Sequence, residues 1–343
     1  MSNAEPGGRP VASIDDRLPL VTKVAKLYHE SRLRQPEISE RLNLSQSRVS
    51  RLLKQAVDVG IVRTIVIAPD GLYSDLEQAL AERYGLLDVV VADPLVDDDA
   101  SLLGALGAAA ARYLESTLGE NEKLGISSWS STLLATVNSM SPPATVRLAH
   151  EVVQVIGGVG RPEVQVQATH LTDQLARVTG GSPKFFPAPG VVGSRAARDV
   201  LMDDRYLGSM TAEWDDLTTV LVGIGALQPS PLLASSGNAV DVSESDELKQ
   251  AGAAGDVCLR FFDADGAAVV TELDDRLLGI SRASLLKVPR RVGVAGGERK
   301  YAAIRGAVLG GWVNILVTDK ATAVRLLEDG QGALAKTSRR KKA

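Results

Sequence analysis

From Leu18 onward the apolar residues Val21, Val24, Ala25, Leu27 and Tyr28 recur every three or four positions, the spacing of one face of a helix. Ser31 to Arg34 interrupt the pattern, and Pro36 suits the first turn of a second, short helix whose apolar positions are Ile38 and Leu42. Asn43 fits the turn that follows. Ser45 can accept from the free amides at the start of a third helix, which runs to about Val57 and is stopped by Gly60. Ile61–Ala68, with the β-branched run Ile65, Val66 and Ile67, predicts a strand, so that three helices are followed by a wing. Leu76, Ala79, Leu80 and Tyr84 predict a helix over residues 73–84, ended by Gly85.

Beyond Leu86 the pattern changes. Short, almost wholly apolar runs at Asp88–Ala92, Lys123–Ser127, Val152–Ile156, Thr219–Ile224, Arg291–Val294 and Val313–Thr318 predict strands buried on both faces. Helical periodicity over Leu102–Leu118, Thr132–Met140, Arg299–Leu309 and Ala321–Glu328 falls between or after them. Strands that alternate with helices imply a parallel or mixed sheet with helices on its faces. The expected division is a flexible arm over 1–17, a head over 18–70, a connecting helix over 71–85, an α/β body over 86–330, and a basic disordered tail over 331–343.

Composition narrows the classes. With 343 residues, 45% hydrophobic and 23% charged, the chain has a globular make-up and room for two domains or three, which excludes a fibre and a mostly disordered chain. No run reaches about 18 apolar residues, and Met1–Asp16 has acidic residues without an apolar core, so neither a membrane span nor an export signal is expected and a cytoplasmic location is. Cys258 is the sole cysteine; it cannot pair within the chain and falls in an apolar strand pattern, where it is expected in the core. His29, His150 and His170 are scattered and lack ligand spacing, and GVAGGERK at Gly293–Lys300 is not a P-loop, so no metal, cofactor or nucleotide hydrolysis is expected.

The net charge of −4 hides an asymmetry, because Arg17–Arg63 hold ten Lys/Arg against four Asp/Glu. A basic head on an acidic body suggests a polyanion-binding module joined to something that handles another ligand. In the third helix Val49, Leu52, Leu53 and Ala56 form the inward stripe, while Ser47, Ser50, Arg51 and Lys54 point the other way, with Ser45, Gln46 and Arg48 near the amino end. A solvated helix face is normally charged. Three short helices, a tight turn, a capped third helix and local basicity together are more specific, and they predict a helix-turn-helix whose third helix enters the major groove of double-stranded operator DNA. The fold class is therefore read as α/β, with an N-terminal winged helix-turn-helix domain before a larger Rossmann-like α/β domain.

In the body, Ser127, Ser128, Ser130, Ser131 and Thr132 stand where a strand gives way to a helix. One hydroxyl suffices to cap a helix; five in six residues suggest a ligand held by free amides and the positive helix end. Ile38–Ile61 (ISERLNLSQSRVSRLLKQAVDVGI) resembles the helix-turn-helix of the SorC family of sugar-binding transcriptional regulators. The body resembles the same family at Gly125–Leu133 (GISSWSSTL), Gly157–Gly160 (GGVG), Gly223–Gly225 (GIG), Gly255–Gly266 (GDVCLRFFDADG), Gly293–Ile304 (GVAGGERKYAAI) and the closing GGWVNILVTDKATAVRLL.

The resemblance implies a body similar in fold to sugar-phosphate isomerases, acting as an effector domain for a sugar or sugar phosphate, and a homo-oligomer, dimer or tetramer. By it, Asp263 would accept from sugar hydroxyls, Lys300 would donate to the ligand, and Gln167 would be a further polar contact, beside Ser128, Ser130, Ser131 and Thr132. On spacing alone Asp263 is a turn residue and Lys300 a surface lysine. Where the family often has a glycine and a basic residue, this chain has Ser130 and Ser131, which leaves open whether the ligand is phosphorylated. The alternative is an isomerase with an added head, in which Asp263 and Lys300 would do acid and base work.

Overall fold

The computed structural model describes residues 14–62, 72–119, 121–127, 130–141, 149–158, 162–227 and 242–329, the side chains of 14–17, 162–168 and 242 aside. The chain divides into two compact units, Met1–Pro69 and Asp70–Ala343.

The first unit holds α1 (Ile14–His29), α2 (Gln35–Leu42) and α3 (Gln46–Asp58). Helix α1 begins four residues ahead of Leu18, inside the segment expected as an arm. Its buried Val21, Val24 and Ala25 meet Ile38 of α2 and Val49, Leu52 and Ala56 of α3, the stripes that the 3.6-residue period marks. Asn43 ends α2 in the left-handed region (φ 50°), a conformation that asparagine tolerates better than most residues. The expected wing strand lies outside the described residues from position 63 onward, as does the expected tail.

The second unit is built on a parallel sheet: β1 (Asp88–Ala92), β2 (Lys123–Ile126), β3 (Glu151–Gln154), β4 (Ser182–Lys184), β5 (Thr219–Gly223), β10 (Arg290–Val294) and β11 (Ile315–Asp319). Their order is β1-β11-β10-β5-β2-β3-β4, every pairing parallel. Successive residues of one strand enter different cores: Val220 and Val222 of β5 lie on one face and Leu221 on the other. Burial on both sides explains why these strands read as continuous apolar runs. Helices α5 (Asp99–Thr117), α6 (Ser131–Ser139) and α7 (Pro162–Thr179) cover one face, with Leu106, Leu114, Leu133, Leu171 and Leu175 buried against it.

On the other face lie α4 (Ser74–Tyr84), α8 (Arg195–Met202), α9 (Arg205–Ala212), α11 (Arg282–Lys287), α12 (Tyr301–Leu309) and a last helix, α13, over 320–329. Helix α4, expected as a connector, packs into this unit: Leu80 is fully buried, and Tyr84 donates through its hydroxyl to the Leu326 carbonyl at 2.9 Å.

Sequence reading did not foresee β4 or the small antiparallel sheet β6 (Gly225–Ala226), β7 (Ala253–Val257), β8 (Arg260–Asp263) and β9 (Ala268–Val269), which α10 (Val242–Gln250) precedes in part. Only the apolar pattern around Cys258 points to a strand here, and β4, β6 and β9, with two or three residues each, are too short to display a period. Phe262 anchors the small sheet, its ring 5.0 Å from that of Trp312, whose Nε1 donates to the Gly266 carbonyl at 2.9 Å.

Candidate functional site

In the head, Ser45 caps α3, its Oγ accepting from the Arg48 amide at 3.3 Å. This fixes the amino end of the helix and leaves Ser45, Gln46, Ser47, Arg48, Ser50, Arg51 and Lys54 all exposed on one surface. Arg51 is held along the helix by a bond from its Nε to the Ser47 carbonyl at 3.2 Å. A basic, hydroxyl-rich and uncovered helix face behind a tight turn presents donors at the height where phosphates and base edges meet a helix in the major groove.

In the body, chain order places the second site. After β2 the chain moves outward to β3 and β4; it then returns to β5, between β2 and β10, and moves outward the other way through β10 and β11, which pairs with β1, the first strand, at that edge. The loops leaving the carboxyl ends of β2 and β5 therefore run in opposite directions and leave a crevice, the usual binding place in an open α/β sheet.

Ser127 leaves β2, and its Oγ accepts from the Gly223 amide at 3.4 Å. Ser130 precedes α6 without capping it by its side chain; its Oγ bonds to Thr132 Oγ1 at 2.5 Å. Thr132 is buried and donates to the Val294 carbonyl at the end of β10, at 3.1 Å. Gly223 lets α6 come this close, because a Cβ there would lie 2.6 Å from Ser130 Oγ. Ser131 is half-buried. Among the described residues no protein group accepts from the amides of Ser131, Thr132 and Leu133, so the helix start can take an acceptor from outside.

Lys300 reaches the same crevice from the loop after β10. Its Nζ donates to the Ile224 carbonyl, beyond β5, at 2.9 Å. Burial lowers its pKa, and the Asp256 carboxylate partly counters this. Asp256, on β7, fills the space that a Cβ on Gly225 would need, and its Oδ2 accepts from the Leu259 amide at 2.9 Å. Although part of its surface stays open, burial pushes its pKa up to about 6, against the pull of that amide and of Lys300. The loop that carries Lys300 is clamped by buried Asp319 at the end of β11, whose carboxylate accepts from the Gly297 amide at 2.7 Å and the Thr322 amide at 3.0 Å.

The structure thus gathers Ser130, Ser131, Thr132 and Lys300. Ser128 lies outside the described residues, and Gln167 lies on α7 with its side chain outside them. Asp263 has the turn role open to it from spacing: its Oδ1 accepts from the amides of Asp265 and Ala267 at 3.0 and 2.9 Å, and the turn packs on the carboxyl end of α12 at Gly306 and Gly310, away from Lys300 at that helix's start.

The acid beside Lys300 is Asp256, which sequence reading missed. Its position in GDVCLRFFDADG, seven residues before Asp263, gave no separate signal, because its nearness to Lys300 depends on how β7 crosses α12. Cys258 is buried as expected, but in a particular place: Cys258 and Leu259 form the two-residue tip of the β7–β8 hairpin, both with positive φ (56° and 59°). Burial pushes the Cys258 thiol up to about 12, and the nearby Asp256 carboxylate adds to the shift.

A cavity of about 690 Å³ lies elsewhere, along the outer edge of β1 between α4 and α5, bordered by Tyr73, Glu77, Asp88, Ala105 and Arg112. The β1 amides that face it are already taken, Val91 by Glu77 and Val89 by Asp88.

A three-helix head with an exposed recognition helix and an α/β body with a hydroxyl-lined crevice define a ligand-responsive DNA-binding regulator. Comparisons with known proteins agree. Residues 71–328 match the family model "Putative sugar-binding domain" and residues 27–63 match "Winged helix-turn-helix DNA-binding". The chain is 30% identical to the deoxyribonucleoside regulator of Bacillus subtilis over 310 residues, which covers 90% of this chain and 97% of that protein. It is 32% identical to the sorbitol operon regulator of Klebsiella pneumoniae over 321 residues, 91% and 99% of the two chains. The crystal structure of the full-length sorbitol operon regulator SorC from that organism superposes with a TM-score of 0.68 at 30% identity, covering 90% of this chain and 98% of that one. The chain belongs to the SorC family of sugar-binding transcriptional regulators. Its head binds DNA, and its body is a sugar-binding effector domain. No described helix is long and apolar enough to cross a membrane.

Proposed function

We propose that this protein represses or activates an operon in the cytoplasm as a homo-oligomer, with operator affinity set by a sugar bound among Ser127, Ser130, Thr132, Asp256 and Lys300. The convergence of Asp256 and Lys300 on the crevice beside the uncapped start of α6 carries this reading. A ligand hydroxyl between the two charges can donate to the carboxylate and accept from the ammonium, and the free amides of α6 hold another ligand oxygen. The ligand must prefer one arrangement of the oligomer, because equal affinity for two arrangements shifts neither. At least two copies are needed to read two half-sites. The body acts as a sensor without turnover: each charged group in the crevice is tied to backbone, Lys300 to Ile224 and Asp256 to Leu259, which suits binding better than proton shuttling.

Calorimetric titration of a sugar panel into the parent, Asp256→Asn, Lys300→Ala and Asp263→Asn tests the site. The first two variants should weaken binding at least tenfold, as expected when one partner of a charge-assisted hydrogen bond is lost. Asp263→Asn should bind like the parent. An assay of the same panel for aldose-to-ketose conversion should show none, and turnover would overturn the sensor reading.

A further inference from the structure

The hydroxyl pair at the start of α6 has a fixed direction. The Val294 carbonyl can only accept, so the bond of 3.1 Å from Thr132 Oγ1 uses the single hydrogen of that hydroxyl. The bond of 2.5 Å between Ser130 and Thr132 must then be donated by Ser130. Ser130 keeps no hydrogen for a ligand and offers only lone pairs. Thr132 is buried against β10 and cannot turn away, while Ser130 stays partly open to the crevice. Asp256 is likewise an acceptor, and its charge offsets that of Lys300, so the pair adds no net positive charge. A phosphate oxygen, which has no hydrogen at neutral pH beyond at most one, meets repulsion at Ser130, whereas a sugar hydroxyl donates to it.

We infer that Ser130, locked as an acceptor by Thr132, selects an unphosphorylated polyhydroxy ligand, a free sugar or sugar alcohol, over its phosphate ester. This rests on the crevice being the effector site. Lys300 and the α6 amides then serve ligand hydroxyl or carbonyl oxygens, and the ligand hydroxyl that donates to Ser130 completes the set.

The test titrates the full-length protein with fructose, glucose, ribose and mannitol, each beside its terminal monophosphate, and with inorganic phosphate alone. At least one free compound should bind, about tenfold or more above its monophosphate. Ser130→Ala should weaken that compound about five- to tenfold. Thr132→Val releases the Ser130 hydrogen and should narrow the preference towards the monophosphate, with tryptophan emission confirming that the body is folded. Tighter binding of a monophosphate that Lys300→Ala still abolishes would overturn the selection by Ser130 and leave the crevice in place. Stabilisation of the parent by inorganic phosphate would do the same. Binding that neither Asp256→Asn nor Lys300→Ala changes, or no binding across the panel, would overturn the crevice and this inference together.

Discussion

Replacing Gly223 by alanine puts one methyl group into the narrowest part of the crevice. Its Cβ would lie 2.6 Å from Ser130 Oγ and 2.7 Å from Ser130 Cβ, and the next neighbour, Thr132 Oγ1, is 4.0 Å away. Both close contacts belong to one residue, so the strain should be relieved by changing that residue alone. Overpacking of this kind costs about 1–3 kcal/mol, and for a unit of this size such a loss lowers Tm by about 2–12 °C. Ser130→Gly by itself should cost less than about 1 kcal/mol, since glycine is nearly as good as serine before a helix. The double variant Gly223→Ala/Ser130→Gly should then be no less stable than Ser130→Gly to within about 0.5 kcal/mol, a strong positive coupling. Trp129, Trp214 and Trp312 all fall in Asp70–Ala343, so tryptophan emission in urea follows the body without the head. Effector affinity should fall in Gly223→Ala while operator binding in the absence of ligand is retained. Simple addition of the two single effects would refute the close packing of α6 on β5, and with it the geometry of the crevice.

The pKa of Asp256 stands at about 6 in the folded body against 3.8 for a free aspartate, so on rising pH the unfolded chain releases this proton first. The group therefore opposes folding above about pH 6 and ceases to do so as the pH falls through 6 towards 4. Without ligand, Asp256→Asn should be more stable than the parent at pH 7.5 and indistinguishable from it at pH 4, and a difference independent of pH would refute the burial of the carboxylate. Asp319→Ala removes the carboxylate acceptor of the Thr322 amide and leaves the Gly297 amide only its longer bond to Thr322 Oγ1 at 3.3 Å, and should lower stability by about 1–3 kcal/mol, read in urea, and weaken effector binding through the loop that carries Lys300. In the head, Gln46→Ala should cost about 1–3 kcal/mol of operator discrimination, and Arg51→Ala should reduce the salt dependence of binding by about one counterion, both measured by fluorescence anisotropy at several salt concentrations. Parent-like binding by both would refute α3 as the recognition helix.

What the chain determined locally was legible in it. The three head helices, their turn at Asn43 and the cap at Ser45 follow from period and residue type within a few positions of one another, and the exposed face of α3 follows from the same period. The parallel strands were visible because burial on both faces demands unbroken apolar runs. The order of those strands was not, because it depends on which run pairs with which, Asp88 of β1 meeting Ile315 of β11 at the far end of the body, and that order makes the crevice between β2 and β5. Short strands such as β6 and β9, with two residues each, carry no period at all. Asp256 and Asp263 show why residue type alone did not identify the acid. Both stand in one twelve-residue motif, yet the hairpin β7–β8 turns one under Lys300 and leaves the other to tie its own turn. The direction of the Ser130–Thr132 bond is likewise a tertiary fact, since it is set by a carbonyl 162 positions further along the chain.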